Sequence, residues 1–581
     1  EDRVIEVETP EHVSIEYPLA GLGSRFSALL ADFLLIAFLF FGVPLAALSL
    51  LTVIGLDIPG ALVSNVLIPI LILYLFGVFW GYFFFFEGFR DGQTPGKKWM
   101  SIRVVLDEGH PITIEAAAIR SLVRVIDLQG LGLVGGIFML LSPRGKRLGD
   151  MAASTVVVRE LPAEFPEVAD LPGSAALPRI SDAAFLAIEK YADRRAALRK
   201  DARERIAGGI AQRLLRHEAL RSEETPDEYI VRFHSEERVR RMGSHRSERA
   251  GSAAASSLLR AKRARWEEFR AMAWRLRGKG LRSADEDSVG EFAARYRELT
   301  ADLARARTYG ASTGTLYALE RLVGAGHNVF YRPAKQSFRR AWRWVAAGFP
   351  ALVRRRWLPI AAASVLLFGT GLLSHALVLV RPDLEGQLVP AEMIARAEEA
   401  PARREAGTGY IDIPISAGFL ASAIVANNIQ VSFLCFALGV TAGIGTALVL
   451  CLNGFHLGTV LAAFQSRGAL DVIGSFVLPH GIIELTAIAI AGGAGLWMGS
   501  GLILPGRTTR RTAFTARAKE AVSLIGGVIV LLIVAGLIEG FVSPARIPTS
   551  LKLLVAAVAA VSLALYLVGA GRKFSPPPDF G

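Results

Sequence analysis

Two groups of polar side chains stand in or beside stretches that are otherwise apolar, the setting in which ionisable residues are most costly and most often serve a function. The first is Arg25 and Asp32, at the start of the run from Phe26 to Ile54, with Arg120, Arg124 and Asp127 further along at i, i+4 and i+7. Arg25 and Asp32 are two helical turns apart, so both are expected on one face. A buried Asp costs about 3 kcal/mol unless paired, and Arg120 or Arg124 is the expected partner. Such a pairing can lock helices together, or it can line an ion or proton pathway. The second group is His480 and Glu484, at i and i+4 behind Pro479, as at a helix start. Asn427, Asn428 and Asn453 interrupt neighbouring apolar stretches. In one reading Glu484 carries a proton or cation, His480 gates it and the Asn pair supplements the ligands. In the other, Glu484 hydrogen-bonds backbone or Asn groups where interrupted helices need partners.

Enzyme signatures fail on spacing. His480 and Glu484 give HxxxE rather than HExxH and lack the second His of a metalloprotease. Glu398, Glu399 and Arg403 match EExxxR but sit in a polar segment without partner His motifs. Residues 92–98, GQTPGKK, are too short for a phosphate-binding loop and lack its Ser or Thr. Cys435 and Cys451, the two cysteines, both lie in apolar stretches, which argues against a disulfide framework or a Cys-based metal site. The chain is therefore read as a non-enzyme, with no catalytic residue, cofactor or metal site expected.

The elements that carry these residues are membrane spans. Of the 581 residues 52% are hydrophobic and 20% charged, too apolar for an ordinary soluble chain. Residues 25–86, 357–380, 416–466, 472–498, 521–541 and 550–570 are nearly free of charge, and each supplies once or twice the roughly 20 residues a helix needs to cross. The net charge of +12 fits loops held inside by Lys and Arg better than a nucleic-acid partner. Residues 1–24 are polar and acidic, so insertion is expected to rely on the spans. Residues 112–141 are read as an amphipathic helix over 114–127, then a re-entrant dip over 128–141. A full crossing would put the Arg-rich 143–354 region outside. Val4 to Val7, Val13 to Tyr17, Ile102 to Val105 and Thr155 to Arg159 read as strands on one side of the membrane, able to form a small juxtamembrane sheet.

Four prolines over 160–180 mark a semi-extended linker. Beyond it, Arg194, Arg195, Arg199, Lys200 and Arg203 give a basic helical face, read as a solvated face near a membrane or an anionic contact. Apolar stripes follow at Trp266, Phe269, Ala273 and Leu276, at Val289, Phe292, Tyr296, Leu299 and Leu303, and at Leu316, Leu319 and Val323, leading to His327 and Tyr331. They predict packed helices, the next starting near Ser283 or Ser288 by capping-box spacing. Interruptions at Asn427-Asn428, Gly439 to Thr446, Asn453-Gly454 and Pro479 predict broken helices in the last module, and 390–405 an amphipathic helix. The fold expected is an all-α polytopic membrane protein with two transmembrane modules and a cytoplasmic helical bundle. Its parts are 1–160, a linker at 161–180, a charged region at 181–345, a broken-helix module at 346–541 and a last span with tail at 542–581.

Two family resemblances rest on particular residues. Residues 10–160 resemble the RDD family through Arg25, Asp32, GQTPGKKWMSIRVV, RSLVRVID and RLGDMAAST with Asp150; Ser154 stands where that pattern commonly has Gly. Residues 262–541 resemble the stage II sporulation protein M family through Asn427-Asn428, GVTAGIGT, NGFHLG with Asn453 and His456, and LPHGIIELTAIAIAGGAGL. By the positive-inside rule the N-terminus and the central region are expected in the cytoplasm, at the inner membrane. The resemblances imply a scaffold or assembly factor that would recruit envelope-remodelling proteins or a MoxR-type AAA ATPase, alongside membrane lipids and self-association. The alternative they imply is a secondary transporter or ion/proton exchanger acting through Asp32 and Glu484.

Overall fold

The computed structural model describes residues 4–8, 14–55, 59–129, 132–160, 180–195, 198, 200–214, 224–250, 253–279, 286–330, 338–405, 417–545 and 547–572. The linker at 161–179, Arg199, Ser283 and Tyr331 lie outside these. Among the described residues the structure is helical apart from two small sheets, and eight of the helices are long and apolar enough to cross a membrane. It divides into a membrane unit, residues 1–5, 17–160 and 333–581, and a second unit of residues 6–16 and 161–332.

Ahead of the N-terminal module in sequence come strands β1 (Val4–Glu8) and β2 (Ser14–Pro18), paired with each other and largely in the second unit. Two spans follow, α1 (Leu22–Ile54) and α2 (Ile68–Phe89). Between them, Gly55 ends α1 at φ +66°, a left-handed conformation that glycine adopts freely. A short helix, α3 (Pro95–Trp99), is capped by Thr94, whose hydroxyl accepts the Lys97 amide. Strand β3 (Ile102–Leu106) leads to α4 (Ile114–Asp127), capped by Thr113 with Glu115 in its first turn. Then come α5 (Leu133–Leu141), α6 (Leu148–Ala152) and β4 (Thr155–Arg159). Strand β3 pairs antiparallel with β4, Ile102 opposite Arg159 and Leu106 opposite Thr155. The chain thus returns at 155 to the end of the bundle it left at 102. At 9 residues, α5 is about 14 Å long and cannot cross a hydrocarbon core of about 30 Å. Among the described residues the strands form two separate pairs rather than one four-stranded sheet, and Leu19 bridges Val158 within the membrane unit.

The second unit holds α7 (Asp182–Arg194), α8 (Lys200–Leu214), α9 (Pro226–Ala250), α10 (Ala253–Lys279), α11 (Glu286–Thr308) and α12 (Thr313–Phe330). Ser181 caps α7 by accepting the Ala184 amide. Ile188, Tyr191, Ala207, Ala211, Tyr229 and Phe233 form one buried cluster. Trp266, Phe269, Phe292, Tyr296, Leu299 and Leu303 are buried as their spacing predicts, and the Trp266 ring N–H donates to Asp302 at 3.0 Å. Part of the basic face is engaged: Arg195 and Arg203 lie 3.5 and 3.8 Å from Asp227.

In the C-terminal module α13 (Phe349–Arg355) leads into α14 (Trp357–Val380), and the amphipathic helix is α15 (Ala391–Glu405). Four long helices follow, α16 (Ala417–Ala437), α17 (Ile444–Ser466), α18 (Leu470–Ile503) and α19 (Arg510–Phe541), and then α20 (Thr549–Gly569). The expectation of broken helices needs correction. Helix α16 runs through Asn427-Asn428, α17 through Asn453-Gly454, and α18 through Pro479, which is internal rather than at a helix start. The one break among the anticipated sites is at 438–443, where a 3-10 turn ends in Ala442 at φ +57° and Gly443 at φ +86°. Gly454, taken as a break, is a packing surface instead, as is Gly458. A Cβ on Gly454 would lie 2.0 Å from the Leu367 carbonyl oxygen and one on Gly458 1.9 Å from that of Gly371, so these residues let α17 lie backbone to backbone on α14.

The two membrane modules pack together. Trp80 of α2 meets Phe433 of α16 edge to face at 4.9 Å, the Ser154 hydroxyl hydrogen-bonds Thr515 at 3.3 Å, and Asp107 pairs with Arg511.

Candidate functional site

At the end of the N-terminal module, α4 lays Arg120 and Arg124 against Glu87, the last acidic residue of α2. Arg120 Nε donates to Glu87 Oε2 at 2.7 Å, Arg124 to Oε1 at 2.8 Å, and Lys97 to Oε1 at 2.5 Å. Arg120 reaches also to Asp150 and to the Thr155 hydroxyl at 2.7 Å. Arg25 joins from α1, 3.2 Å from Asp150 and donating to the Gly145 carbonyl at 2.7 Å. Arg147 pairs with Asp150 at 3.3 Å and Asp127 at 3.5 Å, and Asp127 accepts the Leu148 and Gly149 amides. Glu87, Asp150, Arg120, Arg124 and Asp127 are all buried. Burial disfavours the charged form of Asp150, yet Arg120, Arg147 and Arg25 outweigh it and hold the carboxyl below the usual range. Burial pushes the Lys97 amine down to about 7, with Glu87 opposing and Arg120 and Arg124 reinforcing.

Asp32 is not part of this network, contrary to the expected pairing with Arg120 or Arg124. It accepts the Thr94 hydroxyl at 2.5 Å, the Gly96 amide at 2.8 Å and the Tyr82 hydroxyl at 2.8 Å. The reason is reach: α3 seats directly on α1, so close that a Cβ on Gly96 would lie 2.2 Å from the Ala28 carbonyl oxygen. The arginines of α4 meet Glu87 and Asp150 instead. Glu87, Lys97 and Arg147 escaped the sequence reading because Glu87 ends an unbroken run of aromatics and the two bases sit in loops that read as ordinary positive-inside charge.

In the C-terminal module His480 and Glu484 do come together, Nε2 to Oε2 at 4.0 Å, and Asn428 of α16 stands beside Glu484. Asn427 is exposed and donates to Asn428 at 3.3 Å. Asn453 and His456 stand apart: Asn453 donates to the Val449 carbonyl of its own helix, and His456 is exposed. The additional member is Glu539 of α19, whose Oε1 is 3.8 Å from His480 Nε2. His480 Nδ1 meets the Ser543 hydroxyl at 2.9 Å, and the buried Lys552 amine donates to the Ser543 carbonyl at 2.7 Å. Glu539 lies 59 residues from His480 in an otherwise plain span, and its signal was a lone acid in an apolar run.

Comparison with known proteins divides the chain in the same places. Residues 19–154 match the RDD family, residues 364–544 the stage II sporulation protein M family, and residues 256–332 a domain of unknown function (DUF8413). The sporulation-family match therefore starts at 364, and the last helices of the second unit carry a domain of their own instead of extending that family back to 262. Two relatives from Methanocaldococcus jannaschii are similar over 21% of this chain. Uncharacterized protein MJ0793 is 30% identical over 123 residues, 69% of its own length. Uncharacterized protein MJ0706 is 31% identical over 126 residues, 54% of its length. No solved structure matches the chain significantly. The chain therefore carries an RDD family domain at residues 19–154 fused to a stage II sporulation protein M family domain at residues 364–544.

Proposed function

We propose that this integral membrane protein is a scaffold or assembly factor, a rigid membrane platform that presents its charged helical unit to partners. The observation that carries the reading is the use made of charge in the N-terminal module. Glu87 and Asp150 are neutralised by Arg25, Lys97, Arg120 and Arg124, and Asp32 is satisfied by hydroxyls and a backbone amide. A pathway for ions needs groups that exchange partners with water, whereas interlocked buried pairs fix helices in one register. The Arg-rich end of the bundle, with Arg354, Arg355, Arg507, Arg510 and Arg511, supports placing that end and residues 181–345 in the cytoplasm, at the inner membrane. Partners suited to such a platform are envelope-remodelling proteins or a MoxR-type AAA ATPase. Deleting residues 182–330 is expected to remove co-purifying partners from native membranes while the spans still insert.

The second reading, a cation or proton exchanger, draws on the C-terminal carboxylates Glu484 and Glu539, which have no Arg or Lys ion pair among the described residues. An exchanger predicts flux in proteoliposomes that Asp32→Asn and Glu484→Gln abolish; the scaffold predicts no flux from the unaltered chain.

A further inference from the structure

The membrane unit treats its buried acids in two opposite ways. In the N-terminal module each buried carboxylate of the Arg cluster meets guanidinium or ammonium groups at 3.5 Å or less. In the C-terminal module Glu484 and Glu539 face each other across one imidazole, with no such counter-charge among the described residues. Lys552, the nearby cation, is engaged by the Ser543 carbonyl. Glu539 is 3% exposed, and its Oε1, the atom aimed at His480, is buried without a hydrogen-bond partner among the described residues. Two carboxylates drawn together out of water call for a positive charge between them.

We propose that His480, Glu484 and Glu539 form a binding site for a divalent transition-metal cation that ties α18 to α19. One ligand atom from each residue lies within 4.8 Å of the others. Around an ion with bonds of about 2.1 Å the ligand atoms would stand about 3 to 3.5 Å apart, so the three need to close by roughly 1 Å, within the range of side-chain rotation. The donor set, one imidazole and two carboxylates, suits Mn²⁺, Fe²⁺ or Zn²⁺ and balances a charge of two. The supporting shell is in place. With His480 Nδ1–H donating to the Ser543 hydroxyl, the Nε2 lone pair faces both carboxylates. Proximity of α18 and α19 is fixed independently of any ion, because their backbones approach closely where a Cβ on Gly501 would lie 2.7 Å from Phe514 Cα.

The test uses the full chain purified in detergent, stripped by a chelator and titrated with Mn²⁺, with Zn²⁺ as competitor. Stoichiometric Mn²⁺ binding is expected, weakened roughly ten-fold or more in Glu539→Gln, Glu484→Gln and Ser543→Ala, and unchanged in Glu398→Gln. Electron paramagnetic resonance of the bound Mn²⁺ should show coupling to an imidazole nitrogen that His480→Gln removes. This spectrum on the unaltered chain decides the question even where a variant fails to fold. No Mn²⁺ or Zn²⁺ binding by the unaltered chain, binding that survives loss of both carboxylates, or bound Mn²⁺ without nitrogen coupling would each overturn the site.

Discussion

Glu87 is the residue on which the N-terminal module turns. One carboxylate holds Lys97, Arg120 and Arg124, so its removal leaves Lys97 and Arg124 without their buried counter-charge. Glu87→Gln is expected to destabilise the protein by about 3–5 kcal/mol, the range for breaking a buried pair from one side. Thermal unfolding in detergent measures it. Asp150 carries a pH dependence. Its folded pKa lies below its unfolded value of about 3.9, so its contribution is complete above that value and is lost as pH falls through the folded pKa. Melting temperature should therefore drop below about pH 4, and Asp150→Asn should lower stability at neutral pH while flattening that acid limb. At this scale the sequence was readable where partners are local. His480 and Glu484 share a helix face and stay together, whereas Asp32 and its partners at 82 and 94–96 are joined only by tertiary packing. Spacing along one helix carries no signal for such pairs.

Among the elements, periodicity located α4, α15 and α12 closely because each has an amphipathic face that water or a partner defines. Inside the C-terminal module that contrast vanishes: helices buried in protein and lipid read as uniformly apolar, and Gly or Asn then looks like a break. What those glycines supply is close approach. Gly458→Leu is expected to force α17 from α14 and cost about 1–3 kcal/mol or more, whereas Gly369→Ala, in open space on α14, should be neutral. Proteins reconstituted in detergent and unfolded in parallel report the difference. The positive φ at Ala442 and Gly443 marks the single place where the reading of a break holds, because there the backbone itself reverses between α16 and α17.

At the scale of the whole molecule, two domains known from separate families share one packed membrane unit, with Trp80 and Phe433 at their contact. A helical unit of residues 161–332 is inserted between them in sequence. The most direct measurement compares, by quantitative mass spectrometry, what co-purifies from native membranes with the intact chain and with the chain lacking residues 182–330. The scaffold reading predicts a defined set of partners that the deletion loses while the truncated protein remains membrane-inserted and monodisperse. An identical set of partners from both, or an intact chain that brings down none, would contradict it.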